Sequence, residues 1–380
     1  MVAPHQALAA VVERPGEPFA IRSIGIGDLR DEEILVSVVG VGICHTDVVA
    51  QHGAFGLSGP AVLGHEGSGI ILHVGRNVSG FAAGDRVVIS FRSCGDCRQC
   101  HAGRSSYCET MPALNYAGRR LDGSTALTLD GIPVAGNFFG QSSFATLAVT
   151  YARNLVPVAD DVPLALMGPL GCGIQTGVGA VMRSMACEPG STIVIAGGGA
   201  VGLSAVMGAV ISQCAGIILI EPHESRRALA LDYGATEVVD PSAEPVPSAL
   251  ARLAPSGVDY ALDTTGRADV LAALIGALAP RGLLGLVGIA PPDTNVPADV
   301  NRLMASGHRI MGIIEGDSDP ATFIPELIGY YRAGKLPFDR MIRTYPLSQI
   351  NEAVRDQAEG LVVKAVLLPG DGTLSGENQG

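Results

Sequence analysis

The sequence predicts an α/β protein of two domains, one built from short antiparallel strands in a barrel-like arrangement and one from a doubly wound parallel sheet. Three observations carry that prediction. The chain has 380 residues, and domains typically run to roughly 100–200 residues. Its first 90 residues hold short β-runs punctuated by Gly and Pro. From Ser191 onward, β-rich and helical segments alternate, as they do where crossover helices join parallel strands.

Taken in order, ALAAVV, EILVSVVGVG, GSGIILHVG and DRVVIS read as strands, with Val74-Gly75-Arg76-Asn77 and Ala82-Ala83-Gly84-Asp85 as turns between them. Residues 91–112 read as a loop carrying four Cys, and 113–150 as further strands, SFATLAVT among them. The stretch from Leu164, LALMGPLGCGIQTGVGAVMRSM, is helical in pattern, with Gly at packing positions. STIVIA, a helix over 201–214, GIILIE and the amphipathic helix ESRRALALDYGA follow. EVVD, SALARLA, DYALDTTG, VLAALIGALAPRG and LLGLVGIA continue the alternation. From about residue 317 the chain returns to helix and strand with less Gly, either closing the α/β domain or rejoining the first one. The tail PGDGTLSGENQG is polar and Gly-rich and is expected to be loose. No internal repeat is present.

Composition removes several classes of function. Hydrophobic residues make up 47% and charged residues 16%, which excludes a disordered chain. A net charge of −12 argues against a nucleic-acid partner or an anionic membrane surface. The 50 Gly show no every-third-residue period, so the chain is not collagen-like. The start, MVAPHQALAAVVERPGEPF, has no basic segment followed by a sustained apolar one, so no signal peptide is read and a cytoplasmic setting is expected. Residues 189–220 carry no charge, a run long enough to span a bilayer. It nevertheless reads as strand, glycine turn, helix and second strand, buried in a sheet that is apolar on both faces.

Gly197-Gly198-Gly199-Ala200-Val201-Gly202 fits G-x-G-x-x-G, with a strand before it, a helix after it and Glu221 closing the next strand. Glycines permit a tight turn and close approach of backbone to a pyrophosphate. The helix N-terminus adds free N–H groups and a positive dipole end. A carboxylate at the second strand accepts from ribose hydroxyls and repels a 2′-phosphate, favouring NAD over NADP. Arg226 and Arg227 lie close by and temper that preference. A glycine turn that binds nothing is the plain alternative.

The eight Cys are unevenly placed. Cys94, Cys97, Cys100 and Cys108 offer four thiolates on one short segment, the donor set of a closed, structural zinc site. Free surface thiols, an iron–sulfur site and a zinc ribbon for nucleic acid are the alternatives; a ribbon wants two separated Cys pairs and basic flanks. A second set is dispersed over GICHTD (Cys44, His45, Thr46, Asp47), GHEG (His65, Glu66) and GCG (Cys172). Singly each is weak, because a buried Cys is commonly a small hydrophobe. Together they supply two thiolates, an imidazole and a carboxylate, the donors of a catalytic zinc with an open position. Cys172 lies just before the nucleotide segment, so such a metal is expected beside a nicotinamide. Cys187 and Cys214 have no role beyond packing.

The motifs GICHTD, GHEGSG, the four-Cys loop, GCGIQTG, GGGAVG and VGIAPP occur in this order over nearly the whole chain. In this the chain resembles the zinc-dependent medium-chain alcohol dehydrogenases. The resemblance implies a GroES-like catalytic domain over residues 1–173, a Rossmann NAD-binding domain over 174–316, and a return to the catalytic domain over 317–380. FFGQSSFATLAVT and IIEGDSDPATFIPELI are similar to bacterial aryl (benzyl-type) and allylic terpene alcohol dehydrogenases. Two Zn²⁺ per chain and NAD are the implied cofactors.

By the same resemblance Cys44, His65 and Cys172 hold the catalytic zinc, and Cys94, Cys97, Cys100 and Cys108 the structural one. Thr46 takes the alcohol proton, Glu66 is an acid able to approach the metal, and Asp47 orients the histidine. Thr176 and Val201 pack on the nicotinamide, Glu221 meets the ribose, Lys364 a phosphate, and Gly197, Gly199, Ala200 and Gly202 form the turn. His45 stands at the pyrophosphate where some relatives carry Arg, which gives up a fixed charge. Val49 stands where a His relays the proton in animal relatives, leaving Gln51, His52 or the cofactor ribose to do so. Phe91, Leu114, Phe138, Phe139 and Ile289 line the substrate pocket, although one of Phe138 and Phe139 is expected in the core of an ordinary strand. With nine Phe in the chain, three at one pocket suit a flat benzyl or prenyl group.

The expected reaction is hydride transfer between an aromatic or allylic primary alcohol and NAD. Glutathione-dependent formaldehyde oxidation, general aliphatic alcohol oxidation and a non-catalytic NAD-binding zinc protein are the rivals; the first needs a basic cluster at the pocket mouth that the sequence does not show. The expected partners are a small alcohol or aldehyde, with neither nucleic acid nor membrane. A homodimer or homotetramer is expected, joined at edge strands near residues 283–316.

Overall fold

The structure, a computed structural model, describes residues 5–57 and 59–371. The tail expected to be loose lies outside them from residue 372 on. The chain divides into two compact units: residues up to Cys172, Pro320–Pro325 and from Ile342 onward form one, and Gly173–Asp319 with Glu326–Met341 the other.

The first unit contains two sheets. One runs in the order Leu155–Pro157, Arg86–Ile89, Glu66–Val74, Glu33–Gly42, Lys364–Leu368, Ile342–Pro346, with Leu147–Tyr151 also paired to Glu33–Gly42. Glu33–Gly42 is central and largely buried on both faces, which explains why apolar residues and Gly fill it apart from Glu33 and Ser37. The register sets Gly42 opposite Glu66 on one side and Val366 on the other. Cys44, just after Gly42, and His65, just before Glu66, therefore emerge at the same end of the sheet. Ile342–Pro346 and Lys364–Leu368 are parallel and are joined through helix Ile350–Ala358, the long crossover that parallel neighbours need. The second sheet orders Ala61–Val62, His5–Val12, Ala20–Ile26, Leu127–Leu129 and Ile132–Val134.

The second unit is a six-stranded parallel sheet in the order Glu237–Val239, Gly216–Ile220, Thr192–Ala196, Val258–Asp263, Leu278–Leu286, Arg309–Gly312. This 3-2-1-4-5-6 order reverses direction beside Thr192–Ala196, where ligands of such sheets bind. Val194, Ile218, Leu250, Ala261, Leu274 and Leu284 pack into one buried core between sheet and helices. The uncharged run is strand Thr192–Ala196, helix Ala200–Ile211 and strand Gly216–Ile220. No helix among the described residues is long and apolar enough to cross a membrane.

Three expectations need correction. The stretch 317–380 does not return whole to the first unit, because Glu326–Met341 groups with the second. Glu326 pairs with Arg183 at 3.1 Å, Arg340 with Asp232 at 3.3 Å, and the Tyr331 ring packs on Phe338. The four-Cys segment is not plain loop: it carries helix Arg98–His101 and a 3₁₀ turn Ser105–Tyr107, and Met111–Asn115 is helical. Neither Phe138 nor Phe139 lies in a strand. Both sit on a tight turn, Phe138–Gly140, with Phe139 in the left-handed region at φ 52°.

Candidate active site

Cys44, His65, Glu66 and Cys172 place one donor atom each within 4.8 Å of one another. Three separate segments deliver them. Cys44 precedes helix His45–Gln51, and Asp47 in its first turn fixes it there: Asp47 Oδ2 accepts the Cys44 N–H at 3.0 Å. The other oxygen, Oδ1, accepts the Gly64 N–H at 3.1 Å and bonds His65 Nδ1 at 2.8 Å. One carboxylate, 1% exposed, thus ties the first donor segment to the second. Cys172 ends the 3₁₀ turn Gly168–Gly171, whose Gly171 carbonyl accepts from Ser90 Oγ at 2.6 Å.

The histidine is the strongest sign of a metal. His65 is fully buried, and its Nε2 has no hydrogen-bond partner among the described residues. An orphaned buried nitrogen is costly unless something else satisfies it. With Nδ1 engaged by a carboxylate, Nε2 is left as the ligating lone pair. The Cys44 thiol is held well below its usual range by Cys172 and then by His65, against its burial. Burial pushes the His65 imidazole down, but Asp47 and Cys44 outweigh it and raise it. Soft thiolates with an imidazole fit zinc and not a hard cation.

Glu66 comes close because Gly42 opposite it has no side chain; a Cβ there would run into Glu66 Oε2. Burial pushes the Glu66 carboxyl up to about 6 while Lys364 pulls it the other way. Lys364 Nζ lies 2.5 Å from Glu66 Oε2 and donates to the Ile43 carbonyl at 2.9 Å. Burial would lower this ammonium, but Glu66 outweighs it and keeps the group charged. Lys364 is 2% exposed and sits enclosed against the acid of the donor cluster.

Thr46 lies beside the cluster, its Oγ1 3.7 Å from Cys44 Sγ, and His45 is exposed. Gln51, considered as a proton relay, donates its amide to the Glu17 carbonyl, and His52 Nδ1 bonds the Val48 carbonyl. Aromatic rings wall the histidine. Phe139 stacks on His65 at 4.3 Å and Phe138 meets it edge-on at 5.7 Å. Phe91 and Leu114 are buried in the same unit, and Leu114 belongs to helix Met111–Asn115, which packs on the Phe138–Gly140 turn.

Sequence reasoning missed three contributors. Tyr116 packs edge-on against Phe139 at 5.4 Å, and Phe55 stacks on Tyr116 at 4.9 Å. Gln141 bonds the His65 carbonyl at 2.8 Å and the Gly67 N–H at 3.0 Å, pinning the strand on which His65 and Glu66 arrive. Only its place within FFGQSS could have drawn notice.

The second cluster is local. Cys94, Cys97, Cys100 and Cys108 also bring their donors within 4.8 Å, and none of the eight Cys forms a disulfide. Backbone N–H groups aim at the sulfurs: Cys94 N–H donates to Cys108 Sγ at 3.2 Å, and Cys97 N–H to Cys94 Sγ at 3.3 Å. The N–H of Asp96 is the main cause holding Cys94 down to about 6, whereas burial pushes Cys100 up to about 12. Four sulfurs, with no acid or imidazole joining the donor set, fit a closed zinc site.

In the second unit, Gly197–Gly199 link strand Thr192–Ala196 to helix Ala200–Ile211, with Val201 in its first turn. A Cβ at Gly199 would project into open space. Gly197, Gly199, Glu221, His223, Arg226, Thr264 and Thr265 border a cavity of about 1290 Å³. Helix N–H groups, a glycine cradle and a buried acid suit a dinucleotide. Glu221 accepts from Gly198 N–H at 2.6 Å and His223 N–H at 2.9 Å. Arg227 is committed to Asp240 at 3.0 Å and to the Glu221 and Pro222 carbonyls. Thr176 Oγ1 lies 3.5 Å from Glu315 Oε2, and Ile289 is exposed.

Comparison with known proteins agrees with this geometry. Residues 30–160 match the family described as alcohol dehydrogenase GroES-like domain, and residues 200–328 the family described as zinc-binding dehydrogenase. A geraniol dehydrogenase of Castellaniella defragrans is 46% identical over 95% of this chain and 97% of its own. The structure of an alcohol dehydrogenase zinc-binding domain protein from Burkholderia ambifaria superposes with TM-score 0.94 at 45% identity, covering 96% of this chain and 100% of that one. Benzyl alcohol dehydrogenase from Acinetobacter calcoaceticus gives TM-score 0.92 at 39% identity, over 96% and 99% of the two chains.

Proposed function

This chain belongs to the zinc-binding alcohol dehydrogenases, NAD-linked oxidoreductases with a GroES-like domain, and from that membership we propose that it oxidises aromatic or allylic primary alcohols to aldehydes, reversibly. The observation that carries the substrate class is the aromatic wall: Phe139 stacked on His65, with Phe138, Tyr116 and Phe55 ranged behind it. Flat π-faces beside the reacting centre favour a benzyl or prenyl group through stacking and apolar burial. The named activities of the geraniol and benzyl alcohol relatives support the same reading.

Cys44, His65 and Cys172 are the residues that would hold the catalytic zinc, and the four-Cys loop the structural one. When bound, zinc supplies Lewis acidity that makes the alcohol hydroxyl easier to deprotonate, and NAD supplies the hydride acceptor. The chain's own part is positioning and proton handling. Asp47 holds the His65 tautomer and the Cys44 turn together. Thr46 Oγ1 receives the alcohol proton next to Cys44. The Phe138–Gly140 turn orients the substrate and keeps water from the buried face of His65. Glu66, braced by Lys364, sets a buried negative charge behind the donors. Gly197, Gly199, Ala200, Val201 and Gly202 cradle the pyrophosphate, Glu221 takes the ribose hydroxyls, and His45, Thr176 and Ile289 complete the cofactor contacts. A cytoplasmic homodimer or homotetramer completes the reading: Arg309–Gly312 is an edge strand of its sheet, and nearby Val300 and Met304 are each 76% exposed.

A substrate panel tests the proposal. With NAD, kcat/KM for benzyl alcohol and geraniol should exceed that for ethanol by about tenfold or more, the discrimination an apolar pocket provides. Ethanol equal to or better than the larger alcohols would refute it.

A further inference from the structure

We propose that Gly198 is a specificity-positioning residue: the missing side chain at this position admits a glutamate, with its longer arm, as the anion that meets the adenosine ribose. The proposal rests on the reading of the cavity at the glycine turn as the NAD site.

Gly198 is the variable position of G-x-G, and its backbone does not demand glycine. Gly197 has φ of 97°, but Gly198 is not among the positive-φ residues, so an L side chain is conformationally acceptable there. What opposes one is a neighbour. A Cβ on Gly198 would meet Glu221 Cγ at 2.9 Å, Oε2 at 3.0 Å and Cδ at 3.2 Å. In the space left open, Glu221 folds over the turn. Its Oε2 takes the Gly198 N–H at 2.6 Å and its Oε1 the His223 N–H at 2.9 Å. The carboxylate is 3% exposed and clamped at both oxygens, yet each oxygen keeps a further lone pair for a ribose hydroxyl.

Charge sharpens the point. Arg226 is 4.0 Å from Glu221 Oε2, and Arg227 is turned to Asp240. A fixed anion welcomes two hydroxyls and repels a 2′-phosphate. If Glu221 were pushed off the turn, both effects would weaken. An aspartate keeps a carbon at the Cγ position, the atom a Gly198 Cβ would meet first, but it has no longer arm that must fold back over the turn, so a rotation about its first side-chain bond clears the Cβ. Gly198 and Glu221 are therefore a matched pair, one small because the other is long.

The test is a double-mutant cycle read by NADH and NADPH fluorescence titration, which the absence of Trp leaves with little protein background. Gly198→Ala should weaken NADH binding roughly tenfold, the scale of one hydrogen bond to a charged group, and narrow the preference over NADPH. In turnover the loss should fall on KM for NAD more than on kcat. Adding Glu221→Asp to Gly198→Ala should recover most of it. An unchanged NADH affinity in Gly198→Ala, or a double variant no better than additive, overturns the proposal. If Gly198→Ala does not fold, the double variant must still bind NADH as tightly as Glu221→Asp alone; weaker binding overturns it. Glu221→Ala separates the two levels. If it weakens NADH binding while Gly198→Ala does not, only the pairing fails; if it leaves binding unmoved, the cofactor-site reading fails with it.

Discussion

Cys94, Cys97, Cys100 and Cys108 come from one short stretch of chain, whereas Cys44, His65, Glu66 and Cys172 come from three segments far apart in sequence. The first cluster is held by its own backbone, through N–H groups of neighbouring loop residues aimed at sulfur. The second needs the whole sheet: Cys44, His65 and Glu66 arrive from strand ends paired through Gly42 and Glu66, Cys172 from a separate 3₁₀ turn, and Asp47, Gln141 and Lys364 hold them from outside. Donor chemistry differs in step. Four like sulfurs leave no position for a substrate, while two sulfurs and one imidazole do. The lesson is that a site meant to react must be preorganised by residues that never touch the reaction, whereas a site meant to staple can organise itself.

Removing a donor from the assembled cluster should therefore have the largest effect. His65→Ala is expected to lower kcat/KM by about 10³-fold or more, since the metal stabilises reacting charge by several kcal/mol. Zinc per chain should fall from two to one by elemental analysis. Retention of both zincs with near wild-type turnover would break the assignment of the dispersed cluster as catalytic.

A smaller loss should come from outside the donor set. Asp47 accepts three N–H groups, from Cys44, Gly64 and His65. In Asp47→Asn an amide NH₂ must face at least one of these donors, so one bond is lost and the His65 tautomer is no longer enforced. Zinc affinity or kcat/KM should drop roughly 10–100-fold, read by competition with a chelator and by steady-state kinetics. An unaltered chelator midpoint and rate would show that the histidine is oriented by packing on Phe139 alone.

The same contrast governs what the sequence can reveal. The four-Cys loop is legible because every determinant is local, and so is the glycine turn with Glu221, since strand, turn and helix follow one another directly. The dispersed donors can be named as residue types, but their supports cannot. Gln141 reaches His65 across a sequence separation of 76, and Tyr116 belongs to a different segment from the phenylalanine it packs on. Pattern expects one of Phe138 and Phe139 in a strand because aromatic residues favour strands in general, while here the turn is closed by a left-handed Phe139 and by Ser142 Oγ bonding the Phe138 N–H. The pairing of Lys364 with Glu66 is likewise set by burial between segments far apart in sequence. Local pattern shows what chemistry a chain carries; which groups brace it is decided by contacts far apart in sequence.

The smallest catalytic effect should follow from the self-organised cluster, and it separates the two most cleanly. Cys97→Ser removes one of four thiolates from a loop whose sulfurs accept N–H groups of its own backbone. Zinc should again fall from two to one per chain, as in His65→Ala, so metal content alone does not distinguish the variants. Stability should: losing a closed metal clip costs folding free energy, and Tm should drop by roughly 5–10 °C. At 25 °C, well below that transition, kcat/KM should stay within about twofold of wild type, because no atom of the loop belongs to the dispersed donor set. Two variants with equal zinc loss and opposite rate loss would establish that the clusters are independent in function. If Cys97→Ser instead lowers the rate as far as Asp47→Asn does while the protein remains folded, the loop is part of the active site's bracing, and the division between staple and reacting centre fails.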